Sequence, residues 1–89
     1  MKLNYHFVIR EVSGQSVAVA VGTDHDKFNG MVKLNHTGAF LMELLNDRDL
    51  SREELLQAMV ARYDVTEERA SENLDTFLDV LRRGNLLRE

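Results

Sequence analysis

The hydrophobic period of this 89-residue sequence changes once, near Leu34, and that change limits the possible folds more than any other feature. Before Leu34, apolar residues alternate with polar ones, as on strands with one buried face. After it they recur at three and four residues, as on helices. Tyr5, Phe7 and Ile9 alternate with His6, Val8 and Arg10, which gives a first strand with one face toward a core. Ser13-Gly14-Gln15 reads as a three-residue turn with its glycine central. A second strand over residues 16–21 carries valines at 17, 19 and 21. A polar loop then covers residues 22–29, and a short third strand over residues 30–34 ends this half.

Three helices follow. Asn35 is a cap for the first, with Phe40, Leu41, Leu44 and Leu45 on one face. Ser51 and Glu54 have the spacing of a capping box, which opens a second helix with Leu55, Leu56, Met59, Val60 and Tyr63 inward. Thr66 caps the third, with Asp64 as a rival start, and Gly84 supplies a left-handed stop after Arg82 and Arg83. The expected fold class is therefore α+β. It is a winged helix-turn-helix-like set of parts, with a three-stranded antiparallel β-sheet followed by three α-helices in one domain over residues 1–89.

Composition removes several functions. With no cysteine, disulfides, thiolate catalysis and zinc-thiolate sites are excluded together. No apolar run approaches the ~18–20 residues needed to cross a bilayer, so the expected location is cytoplasmic, with no membrane partner. The net charge of −4 carries no basic block, which disfavours nucleic acid. Asp24-His25-Asp26 gathers three ligand types, but adjacent residues rarely converge on one ion, so no metal and no other cofactor is expected. No nucleophile-base pairing, P-loop or paired-carboxylate signature appears, and no catalytic residue or enzyme activity is assigned.

Three stretches taken in order are more specific. They are Met31-Val32-Lys33-Leu34-Asn35-His36-Thr37-Gly38-Ala39-Phe40-Leu41, then Glu54-Leu55-Leu56 to Ala61-Arg62-Tyr63, then Phe77-Leu78 to Leu81-Arg82-Arg83-Gly84 with Leu86-Leu87. Together they resemble the PqqD family, whose members are also called RiPP recognition elements. Two positions depart from the usual pattern. His36 stands where many relatives have proline, and Asn46-Asp47, which tolerate left-handed backbone and can stand in, occupy the place of a usual turn glycine. The resemblance implies a peptide chaperone in PQQ-biosynthesis-like chemistry. Such a chaperone binds the leader of a ribosomally made precursor peptide and presents it to a modifying enzyme, often of the radical SAM class. It also implies that the leader lies as an added strand beside the third strand, with the third helix as the other wall.

The residues suggest the same site independently. The third strand ends the sheet half and offers an edge for strand addition through Gly30, Met31, Val32, Lys33 and Leu34. Along the third helix, Arg69, Asn73, Thr76, Val80 and Arg83 form a stripe without carboxylates, while Glu68, Glu72, Asp75 and Asp79 gather on another face. Phe77 borders that stripe from the apolar side, and the arginines can reach peptide carboxylates. Read without the resemblance, these features also describe a protected edge and an ordinary boundary stripe. The alternatives are a DNA-binding winged helix-turn-helix, opposed by the acidic third helix, and a generic protein-interaction module.

Overall fold

The computed structural model describes residues 1–21, 31–46 and 48–89. The elements are β1 (Lys2–Leu3), β2 (Phe7–Val12), β3 (Gln15–Ala20), β4 (Met31–Leu34), α1 (His36–Leu45), α2 (Arg52–Arg62), α3 (Glu67–Arg83) and β5 (Leu87–Arg88). The antiparallel sheet has the order β2-β3-β4, and α1 packs on one face of it, with all three helices contributing to the core on that side, the expected α+β arrangement. A second sheet of two short strands, β1 and β5, joins the two ends of the chain.

The β2-β3 hairpin is tighter than its sequence suggests. Val12 pairs with Gln15, leaving a two-residue loop, and both loop residues have positive φ, 53° at Ser13 and 78° at Gly14. That is the mirror-image type I′ turn, whose twist matches that of the flanking strands. Gln15 thus belongs to the strand. The register places Phe7 opposite Ala20 and Ile9 opposite Ala18, with Ala18 also opposite Val32. The core face of β3 is therefore made of alanines, both almost fully buried, while Val17 and Val19 point to the other face. A small central strand between larger neighbours lets α1 pack closely on the sheet.

Side chains close the helix starts where expected. Asn35 Oδ1 accepts from the Gly38 N–H at 2.7 Å. Ser51 and Glu54 complete both arms of the capping box, at 3.1 and 2.9 Å. Thr66, not Asp64, caps α3 by accepting from the Arg69 N–H at 3.1 Å. All five apolar residues expected inside α3 are buried: Ala70, Leu74, Phe77, Leu78 and Leu81. On α1 the buried set is Gly38, Leu41, Met42 and Leu45, with Phe40 and Leu44 only partly covered. Helix α2 is tied to α3 by Arg52, which donates to Asp75 at 2.8 and 3.0 Å and to Ser71 Oγ at 2.7 Å.

Two stops differ from expectation. Gly84 has φ −85°, and the left-handed residue is Asn85 at φ 57°. Leu86 N–H reaches Leu81 O at 2.9 Å and Asn85 N–H reaches Arg82 O at 3.0 Å, the two bonds of a Schellman motif. Gly84 serves space instead, since a Cβ there would stand 3.3 Å from Leu86 Cγ. Asn46 is likewise not left-handed (φ −61°, ψ 123°). Its side chain accepts from Phe7 N–H at 3.1 Å and donates to Phe7 O at 2.6 Å. It does the work of one more rung on the edge of β2. Asp47 lies outside the described residues.

Candidate functional site

Hydrogen bonding fixes which way each strand residue faces. The Phe7 N–H and C=O meet Asn46, so they point away from β3, while the neighbouring His6 O accepts from Val21 N–H at 3.1 Å on the β3 side. Antiparallel pairs alternate between bonded and non-bonded. Counting along the register, Ala18 and Ser16 turn their main-chain groups toward β4, where Val32 and Leu34 face them. Met31 and Lys33 fall between and turn theirs outward. Among the described residues nothing bonds these outward groups.

Beside this edge lies a cleft of about 150 Å³ between β4, the first turns of α1, and α3. Leu34, Leu41, Phe77 and Val80 make its apolar lining, and Lys33, Asn35, Thr37, Asn73 and Thr76 supply polar groups around it. Among the described residues no carboxylate lines it. Val80 is 45% exposed and Phe77 only 8%, so the cleft runs from a solvent-facing lip down to the core. Thr76 Oγ1 donates to Glu72 O at 3.1 Å, so its hydroxyl is already engaged within the helix. Gly38 allows the shape: a Cβ there would lie 3.1 Å from Asn35 Oδ1 and 3.3 Å from Leu34 Cδ2.

Of the residues expected at the site, Lys33, Leu34, Asn73, Thr76, Phe77 and Val80 meet at this cleft. Met31 is an exposed edge residue, and the Val32 side chain is buried in the core. Arg69 and Arg83 are exposed in the first and last turns of α3 and do not line the cleft. Gly30 lies outside the described residues, as does Asp24-His25-Asp26. Asn35, Thr37, Gly38 and Leu41 were absent from the expected site. They follow β4 directly, and their signal was the short Leu34-Asn35-x-Thr37-Gly38 run itself. The acidic face of α3 also has more structure than its sequence suggests, because Asp75 is engaged by Arg52 and Asp79 lies 3.5 Å from Arg82.

A larger hollow of about 470 Å³ is lined by Lys2, Leu3, Asn4, Tyr5, His6, Leu45, Arg48, Asp49 and Arg88. It is open and polar, and it touches neither β4 nor α3. Among the described residues no group of three His, Cys, Asp or Glu side chains could hold a metal ion. No described helix is long and apolar enough to cross a membrane.

Residues 11–87 match the family described as Coenzyme PQQ synthesis protein D (PqqD). The chain belongs to the PqqD family. This PqqD-family chain is also similar in fold to a solved structure described as TbiB1 in complex with the TbiA(beta) leader peptide. The TM-score is 0.70 at 24% identity, covering 99% of this chain and 95% of that one. No curated protein sequence matches it.

Proposed function

We propose that this chain is a leader-peptide-binding chaperone. It takes an extended segment of a ribosomally made precursor peptide as a new strand on β4, against α3, and delivers the rest to a modifying enzyme of radical SAM type. The observation that carries this reading is the open edge at Met31 and Lys33 standing beside an apolar cleft. Main-chain bonds to the edge supply affinity for any extended peptide, and a side chain seated between Leu34, Phe77 and Val80 supplies selection. Family membership supports the reading, and so does a similar fold described in complex with a leader peptide. On this reading the chain works in the cytoplasm, without a catalytic centre, metal or cofactor of its own.

An amide chemical-shift titration with a candidate leader peptide encoded beside this gene tests the proposal. Shifts should centre on Met31, Lys33, Thr76 and Val80. Shifts confined to other surfaces, or none at saturating peptide, would reject it. Nothing favours DNA binding. Glu67, Glu68, Glu72, Asp75 and Asp79 outnumber Arg69, Arg82 and Arg83 on α3, whereas binding driven by counter-ion release needs clustered cations.

A further inference from the structure

The hollow of about 470 Å³ opens where the two ends of the chain meet. Its walls are the segment that begins with β1, strand β5, and the turn after α1. Main-chain bonds hold those walls in place. Leu50 N–H donates to Met1 O and Asn4 N–H to Leu86 O, each at 2.8 Å, and β1 pairs with β5. Lys2 and Arg88 stand directly opposite each other in that pair, and both line the hollow. Like charges directly opposite across two strands destabilise the pairing. Arg48 adds a third cation from the turn after α1. All three residues are exposed, so the mouth is open to solvent. Among the described residues none of their side chains has a hydrogen bond or an ion pair.

The local charge is unbalanced. Among the described residues Asp49 is the one carboxylate in the lining, and the Met1 ammonium already holds it at 2.9 Å. The C-terminal end of α1 offers about half a negative charge against the three cations. His6 joins those cations only when protonated. On a chain of net charge −4, such a cluster attracts a compact anion. A carboxylate has one charge and two oxygens, which a single guanidinium can satisfy. A phosphate ester carries about −1.5 to −2 charge on three oxygens and engages several cations from different directions. Leu3, Tyr5 and Leu45 place apolar surface beside the cations, and the volume lies within the about 300–1,000 Å³ of small-molecule sites.

We infer that this hollow binds a phosphate-bearing small molecule, its phosphate between Lys2, Arg48 and Arg88 and its carbon skeleton against Leu3 and Tyr5. Such a ligand also offsets the repulsion across β1 and β5, so it ties the two ends of the chain together more firmly. The hollow touches neither β4 nor α3, and the inference does not rest on leader binding.

Inorganic pyrophosphate and ribose 5-phosphate are the probes, titrated into the tag-free full chain at about 0.15 M salt. Amide shifts should centre on Lys2, Asn4, Arg48 and Arg88 and saturate with a Kd below about 1 mM. At about ten times Kd the melting temperature should rise by about 5 °C or more. Arg48→Gln and Arg88→Gln should each weaken the probes by about tenfold or more, the loss of one charged hydrogen bond. Without a probe, Arg88→Gln should melt no lower than the unmodified chain, because it removes the repulsion from Lys2. A clear drop there would make Arg88 a structural residue and overturn the assignment. Arg10→Gln removes an exposed cation outside the hollow and should leave affinity within about twofold. An equal loss in that variant, or no saturation by about 10 mM probe, overturns the inference. Tighter binding of citrate or of a glutamate-rich peptide overturns the choice of phosphate. Displacement of pyrophosphate by the leader also overturns it, since the hollow would then belong to the leader's own path. If the leader fails to bind while pyrophosphate saturates the hollow, the cleft reading fails and the phosphate site stands.

Discussion

At the β2 edge of the sheet, the outward groups of Phe7 are taken up by the Asn46 side chain, while at the β4 edge those of Met31 and Lys33 have no partner among the described residues. The contrast extends to the surroundings. Beyond Phe7, β2 runs out along a hairpin arm and ends in exposed residues. Beside β4 stands α3, with a cleft between them. An exposed strand edge is a liability that proteins usually block. Here the edge without a facing wall is plugged at its root, and the edge with a wall is free. The difference separates a boundary of the fold from a surface suited to strand addition.

Proline substitution gives the sharpest test of this contrast. At Lys33 it removes an outward N–H, so the protein should stay folded while leader affinity falls by about 10–100-fold, the cost of leaving a peptide carbonyl unpaired. At Val32 it removes a ladder bond to β3 and should destabilise the fold itself. Calorimetry and thermal melts separate the two outcomes. If Val32→Pro folds normally and Lys33→Pro does not, the facing assigned to β4 is reversed.

The wall comes next. Val80→Asp places a charge on the apolar lining and should weaken the leader by at least ~10-fold, with little change in stability because Val80 is half exposed. Glu68→Lys, on the acidic face, should change affinity little, since solvent and salt screen it. Asp75 is unsuitable as that control, because its loss would also release Arg52. If the two variants weaken binding equally, the acidic face is the contact.

Opening the plugged edge should do the reverse. Asn46→Ala leaves the part-buried main-chain groups of Phe7 unpaired and should cost about 1–3 kcal/mol in a denaturant titration. Leader affinity should hold, because Asn46 is remote from β4. A loss of binding would show that the two edges are coupled.

The smallest effect concerns two exposed carboxylates. The Met1 ammonium, 2.9 Å away, holds the Asp49 carboxyl below its usual range, and Arg82 does the same for Glu89. A carboxylate depressed in the folded state adds stability above its unfolded value, near 4, and that stability fades as pH falls through the folded one. Melting temperature should therefore drop only slightly on acidification through this window, and less so at high salt. Leader binding at neutral pH should be indifferent to Asp49→Asn.

Much of this architecture was legible because long segments repeat their signal. The five buried residues of α3 recur over about three turns, and the Ser51–Glu54 box announces α2. The missed features are short or depend on distant partners. Strands β1 and β5 have two residues each, too few to show a period, and they exist because the two ends of the chain meet. The valines of β3 marked a strand but not which of its faces meets the core, and that face carries Ala18 and Ala20 because the core needs small side chains between Phe7, Ile9 and Val32. At the end of α3, glycine seemed the natural left-handed residue, but packing by Leu86 left that role to Asn85. At the site, strand and helix were legible, whereas Asn35, Thr37 and Gly38 join it only once α1 folds back beside β4.

The fastening of α3 has a consequence for how binding is paid for. Near its start Arg52 grips Ser71 and Asp75, and at its end Leu86 locks into the core before β5 pairs with β1. Helix α3 is therefore fastened to the rest of its own chain along its length and at its end. On the strand-addition reading, an arriving peptide meets a slot that is already formed and needs to order only itself, at about 1–2 kcal/mol of backbone entropy per residue fixed. Stiffening the peptide, rather than enlarging its contacts, is then the direct route to tighter binding.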